Sequence, residues 1–276
     1  MKKKLIPYIF LLPSLIGVCV FALLPFLDII KRSVYNSSNT SFNGIENYKE
    51  VLNNDSYILS IKNTFSFMLL SIVIVLVLSV VLAMFFIKIK VIGEWLKTIY
   101  LIPLAIPVAG ISLFWNLLFD NKGIINGFIH YFGGQPVHWL NSSYSFGILV
   151  FLFVWKNLGF HILLWMIGIS SISVQIIEAA KIDGANEWNR FLYIIFPNTK
   201  SSLYTSILLL IINSFKIYRE SYLLAGDYPN KSMYMLQNIL NNWFRNYDLG
   251  KMSAGAIICA IILCIIILLL NRKLDL

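Results

Sequence analysis

Charge is what this sequence has least of. Asp, Glu, Lys and Arg make up 13% of its 276 residues, where a soluble domain averages about 25%. Hydrophobic residues make up 58% and mean hydropathy is +0.76. So little polar surface cannot cover a water-soluble globule, and the chain reads as integral to a membrane. Cysteine is also scarce. Cys19, Cys259 and Cys264 lie inside apolar runs, without metal-ligand spacing and with no even pairing, which argues against a disulfide framework or a metal centre. No Gly-x-x-x-x-Gly-Lys-[Ser/Thr] loop occurs, so the chain has no phosphate cradle of that type. His-Glu-x-x-His and Cys-x-x-Cys are missing too, and no nucleophile–base set can be assembled. No enzyme activity and no cofactor are expected, and any ATP-driven step needs a separate chain. A net charge of +9 raises the question of nucleic acid. The basic residues, however, are scattered over the loops and form no stripe or arm, so no nucleic-acid partner is expected.

What is present is a series of long apolar runs, and they predict an all-α membrane protein of six transmembrane helices. After Met1-Lys2-Lys3-Lys4, Leu5 to Leu27 carries no charge. That run exceeds the roughly 7–15 apolar residues of a signal peptide and ends in Pro25-Phe26-Leu27-Asp28, so it reads as an uncleaved first span with a cytoplasmic N-terminus. The other spans are expected at 63–87, 98–119, 145–169, 201–223 and Met252 to Leu270. Pro103, Pro107 and Gly110 should bend the third. Residues 31–60 form a first outer loop with short surface helices and a turn at Gly44. Residues 120–144 form a second, broken by Gly123, Gly133, Gly134 and Pro136, and 224–252 a third. Lys88, Lys90 and Lys97 bracket an inner loop, and both termini fall inside, where Lys and Arg are denser. Residues 1–276 thus read as one transmembrane domain with its core helices at 63–270.

A few charges fall inside the spans: Lys156 in the fourth, and Lys216, Arg219 and Glu220 in the fifth. A charge at mid-bilayer costs about 2.5–3.5 kcal/mol, so it needs a partner or a wet cavity. Lys216 and Glu220, four residues apart, are placed to pair along one helix face. Asn213 and Ser206 share that stripe, while Asn157 and His161 make a second one on the fourth span beside Trp155. Trp155, Asn157, His161, Asn213, Lys216 and Glu220 are therefore candidates for a translocation path. In it, rings would stack on sugar faces and amides would bond hydroxyls. The same residues also fit interhelical packing, with Lys216 and Arg219 reaching the outer headgroups.

Between the fourth and fifth spans lies a polar island, residues 170–200. Glu178, Lys181, Asp183, Glu187 and Arg190 are crowded together there. It reads as two short helices with a sharp corner. Ser173 can cap the first, Gly184 can end it with positive φ, Asn186 can cap the second and Pro197 closes it. Ala179 and Ala180 leave a shallow patch that another protein can approach.

Glu178-Ala179-Ala180, Gly184, Ile194 and Phe196-Pro197 resemble the coupling loop of binding-protein-dependent ABC importer permeases: Glu-Ala-Ala, three residues, Gly, nine residues, Ile, one residue, Leu-Pro. Phe196 stands where the family has Leu. The longer stretch Glu178 to Ala185 is similar to the carbohydrate-uptake branch, the relatives of the maltose and glycerol-phosphate permeases. So are Phe42 to Tyr48, Trp139-Leu140, Gly159-Phe160 and Tyr222-Leu223-Leu224. Gly226-Asp227-Tyr228-Pro229 departs from the branch's Gly-Gly-Pro.

The resemblance implies a multi-pass permease of a bacterial cytoplasmic membrane. Its 170–200 loop, through Glu178, Ala179, Ala180, Asp183, Gly184, Ala185 and Pro197, would dock on cytoplasmic ATP-binding subunits. A second, different permease chain would complete a heterodimer, and an extracellular substrate-binding lipoprotein would deliver a sugar or oligosaccharide. Two alternatives stay open: a permease for a charged small solute such as glycerol phosphate or a polyamine, and a non-transport membrane assembly protein.

Overall fold

The computed structural model describes residues 2–89 and 99–274, which are helical with no strand among the described residues. Lys90, Lys97 and the first residue of the expected third span lie outside them. Among the described residues five helices are long and apolar enough to cross a membrane: Phe10–Ser33, Asp55–Lys88, Tyr144–Ser170, Lys200–Ala225 and Leu249–Arg272. A bent pair, Ile99–Ala105 with Val108–Tyr131, makes a sixth if it is one span.

The chain divides into two compact units. One comprises residues 1–58 and 239–265. In it α1 (Lys2–Val18) runs through a π-helical turn (Cys19–Leu23) into α2 (Leu24–Ser33), followed by α3 (Glu46–Leu52). The Phe42 to Tyr48 motif has a structural task here. Asn47 Nδ2 donates to the carbonyls of Ser33 and Tyr35 at 2.9 and 2.7 Å, and the Tyr48 hydroxyl donates to Ser33 Oγ at 2.7 Å, which ties α3 to the end of α2. Asp248 accepts from Ser37 at 2.6 Å and pairs with Lys251, which also reaches Glu50. Burial opposes ionisation of Asp248, but those bonds outweigh it and hold the carboxyl below its ordinary range.

The other unit comprises residues 59–238 and 266–276. Most of α4 (Asp55–Lys88) belongs to it. At 34 residues and 1.5 Å per residue, α4 is about 50 Å long, well beyond the 30 Å or so of a bilayer's hydrocarbon core. It has two contrasting faces. Ser71, Val75, Ser79 and Ala83 are fully buried, and their small size lets neighbouring helices come close. Leu69, Val73, Val77, Val81 and Phe85 form the opposite, exposed stripe.

The third span differs from expectation. Proline and glycine were expected to curve one helix, but α5 (Ile99–Ala105) and α6 (Val108–Phe119) meet at 107°. Pro107 is the cause: it caps α6 with extended backbone (ψ 141°), and its ring disfavours helical geometry at Ile106. The expected second loop contains α7 (Ile124–Tyr131). The expected fifth span is the helix Lys200–Ala225, in which Ile217, still with right-handed helical backbone, separates α12 (Lys200–Lys216) from α13 (Tyr218–Ala225). The expected third loop contains α14 (Leu236–Arg245), and α15 (Leu249–Leu274) begins before the expected Met252.

The deepest element of this unit is α8 (Tyr144–Ser170), whose Phe153 meets Phe67 edge-on at 5.3 Å over Leu149 and Leu210. α8 and α12 run antiparallel in a fixed register. Asn213 donates to Asn157 at 2.9 Å near one end, and near the other Gly168 lies so close to Ser202 that a Cβ would fall 2.3 Å from its Oγ. Gly159 is tighter still, since a Cβ there would sit 1.8 Å from the Tyr100 carbonyl oxygen. Backbone cannot yield as a side chain tip can. We therefore expect Gly159→Ala to force α8 and α5 apart at a cost of about 1–3 kcal/mol, read as a lower melting temperature of the purified protein. Gly147→Ala, at a position with open space around it, is the control.

Candidate functional site

Two places hold most of the residues singled out from the sequence. The first is a cavity of about 190 Å³ where α8 meets the junction of α12 and α13, with Leu104 and Phe153 as its apolar wall. Lys156, Asn157, Asn213, Lys216 and Glu220 all line it. The pairing differs from expectation. Glu220 bonds Lys156 on α8, Nζ to Oε1 at 2.5 Å, and not Lys216 on its own chain segment. Ile217 lies between them at the junction of α12 and α13. Glu220 is buried on the α8 side, and its Oε2 is buried with no hydrogen-bond partner among the described residues. Lys216 is exposed and has no carboxylate partner among the described residues.

Two of the six candidate path residues stand apart. Trp155 packs edge-on against Trp115, centroids 5.4 Å apart, away from the cavity. His161 is fully buried, and neither ring nitrogen finds a partner among the described residues. Leu104 and Phe153 are cavity residues that sequence reasoning missed, since an apolar wall looks like any lipid-facing stretch. Lys156 was marked as an intramembrane charge, but nothing local pointed to a partner 64 positions away.

The second place is the island. α9 (Val174–Ile182) ends in a turn in which Gly184 takes φ +79°, the Ala185 N–H donates to the Ala180 carbonyl at 2.9 Å, and the Gly184 N–H donates to Lys181. That six-to-one bond with a left-handed glycine is the Schellman cap, which satisfies carbonyls the helix would leave open. Asn186 caps α10 (Glu187–Arg190) as expected, its Oδ1 accepting from the Asn189 N–H at 2.7 Å. Ser173 stands at the α9 N-cap position, but its hydroxyl bonds the Gln175 side chain and not a helix N–H. A π-helical turn (Phe191–Ile195) and α11 (Phe196–Asn198), with Pro197 in its first turn, lead into α12.

Glu178, Ala179, Asp183, Gly184 and Pro197 are exposed, while Ala180 and Ala185 are half-buried. Around them Ile182 is 87% exposed and Trp188 and Tyr193 are exposed as well, an apolar face with no cover among the described residues. Glu187 anchors the island from behind. Its carboxylate takes Lys88 of α4 at 2.6 Å and Arg190 at 3.0 Å, and Arg190 also donates to the Ala185 carbonyl at 3.1 Å. The Lys88 hydrogen bond is the main reason the Glu187 carboxyl sits below its ordinary range.

Residues 79–276 match the family described as "Binding-protein-dependent transport system inner membrane component". The probable ABC transporter permease protein YurN of Bacillus subtilis (strain 168) is 26% identical over 273 residues, 95% of this chain and 93% of the relative. The trehalose/maltose transport system permease protein MalF of Thermococcus litoralis is 30% identical over 269 residues, 93% of this chain and 89% of the relative. Among solved structures, a crystal structure of a bacterial ABC transporter involved in the import of the acidic polysaccharide alginate superposes with a TM-score of 0.86. It covers 99% of this chain and 96% of that one at 19% identity, a likeness of fold.

Proposed function

The chain belongs to the inner membrane components of binding-protein-dependent transport systems, and from that premise we propose that it is the permease subunit of an ATP-driven importer for a neutral sugar or oligosaccharide. It is a multi-pass transport component and not an enzyme. In our reading residues 1–276 form one transmembrane domain with six crossings, the bent α5–α6 pair counting as one, and both termini are cytoplasmic. The island then also faces the cytoplasm and docks on an ATP-binding subunit through Glu178, Ala179, Asp183, Gly184 and the apolar residues beside them. ATP-driven closure of two such subunits pulls on the island. The Glu187–Lys88 link and the short connection into α12 carry that movement to the helices around the cavity. A second permease chain and an extracellular binding protein complete the assembly.

The observation that carries the reading is the Schellman turn at Gly184, which presents an exposed mixed face to a partner while tying it back to α4. The substrate class has separate support. The trehalose/maltose system of the Thermococcus relative points to sugar. The cavity pairs its one carboxylate with a lysine and adds the Asn157–Asn213 amides, groups suited to hydroxyls. Lys216, with no carboxylate partner among the described residues, favours an anionic solute such as glycerol phosphate as the second reading.

Affinity purification of the tagged chain is expected to bring down an ATPase with a Walker motif. Uptake by cells making the whole system should be competed by unlabelled maltose or trehalose and not by glycerol phosphate. Competition by glycerol phosphate alone would replace sugar with the anion, and the absence of any ATPase partner would overturn the importer.

A further inference from the structure

A second polar cavity lies beyond the one lined by Glu220. It has a volume of about 310 Å³ and opens between the end of α6, the end of α13 and the loop that follows α7. Asn116, Asp120, Asn121 and Asn141 contribute its polar groups, and Phe119 and Ala225 lie among its apolar ones. The size falls at the lower end of small-ligand sites. Its chemistry suits a hydroxyl-rich ligand: several amides, which donate and accept, one carboxylate, and an aromatic ring.

The loop is built to hold this shape. Asn126 is buried, 2% exposed, and acts as its hub. Its amide donates to the carbonyls of Asn121 and Val137, and its Oδ1 accepts from the Val137 N–H and from Trp139 Nε1, all at 2.9–3.0 Å. Phe119 is wedged between Trp115 and Trp139. Asn121 uses its Oδ1 on His138, and Asp120 uses one oxygen on the Lys122 N–H. The side chains of Asn116 and Asn141, the Asn121 amide nitrogen and the other Asp120 oxygen make no hydrogen bond among the described residues, so a rigid frame presents open donors and acceptors.

α13 connects this cavity to the deeper one. Glu220 lines the deep cavity and Leu224 the second, four residues on along one face of the helix. That is about 6 Å at 1.5 Å per residue, close to the length of one sugar ring. We infer that the second cavity is a glycosyl subsite for one ring of a neutral saccharide. α13 then carries two stacked subsites, and the shortest ligand that fills both is a disaccharide. Asp120 sets the charge preference, because an acidic ring there would meet a carboxylate. This inference rests on the sugar-importer reading and adds a site to it.

The test uses the purified assembled transporter and maltotriose as probe, with saturation-transfer NMR and titration. Wild type should saturate protons of at least two adjoining rings. Asn116→Leu and Asn141→Leu remove side chains with no partner among the described residues, so the fold should tolerate both. Each should weaken maltotriose at least fivefold and remove transfer to one ring. A trimer of mannuronate should bind at least tenfold more weakly than maltotriose. Unchanged affinity in both variants, while Asn213→Leu loses binding, would leave only the deep cavity, overturning the subsite while the importer stands. Tighter binding of the acidic trimer, or no saturable binding of either probe to wild type, would also overturn it. The importer reading fails on different grounds, namely loss of the ATPase partner or of sugar uptake.

Discussion

Replacing Gly184 by valine is expected to cut uptake at least tenfold while leaving membrane insertion and yield near wild type. The residue sits at φ +79°, where a side chain strains the backbone. For a non-glycine residue that strain is roughly 1–2 kcal/mol, and a β-branched residue is the worst case. Apart from its chain neighbours, no atom of the described residues lies within 4 Å of where its Cβ would go, so the penalty is conformational and not steric. The cheapest relief is to unwind the turn, which breaks the Ala185–Ala180 bond and re-aims Glu178, Ala179 and Asp183. Damage of that kind is local and leaves the apolar helices untouched. Gly184→Asn is the informative companion, because asparagine tolerates left-handed backbone better than other side chains. It should retain a substantial part of uptake. ATPase activity in the assembled transporter that no longer responds to binding protein would be the signature of Gly184→Val. Normal, responsive uptake by that variant would mean that the island does not couple.

The ion pair between Lys156 and Glu220 carries the second large effect. Removing one member of a buried pair typically costs about 3–5 kcal/mol, because the survivor is left charged and unsolvated. Here the two ends differ: the Glu220 side chain is 3% exposed and that of Lys156 is 24% exposed. Lys156→Met should therefore be the more damaging, since it strands the carboxylate where water cannot reach. Glu220→Gln leaves a lysine that can turn toward the cavity, and should cost less. Combining Lys156→Met with Glu220→Leu should restore most of the lost melting temperature, as matched apolar replacements of buried pairs commonly do. A double variant as unstable as the worse single would show that the pair is not the source of the loss. Transport by the stable double variant should still be low, because its cavity would have lost two of its polar groups.

Much of this chain was readable residue by residue. The long apolar runs at 63–87, 145–169 and near the C-terminus became helices in place, because apolar composition and run length are properties of a single segment. The island was readable for a related reason. A left-handed glycine, an asparagine cap and a proline act on their immediate neighbours, so Gly184, Asn186 and Pro197 could be placed from sequence alone. Ser173 shows the limit even there: a hydroxyl has several acceptors in reach, and Gln175 took it.

The misreadings concern contacts between segments. Composition established that charges at 156, 216 and 220 would need partners, and that Pro107 would disturb its helix. Packing decided which way the Glu220 carboxylate turned, toward Lys156 instead of Lys216, while the backbone at Pro107 sharpened the expected curve to 107°. His161 and Trp155 shared a helix with Asn157 yet ended outside the cavity, because which neighbour a helix face meets depends on crossing and register. Local backbone preference and hydrophobicity are written in consecutive residues. The free energy that pairs distant side chains comes from excluded lipid and water at interfaces that exist only once the helices have packed.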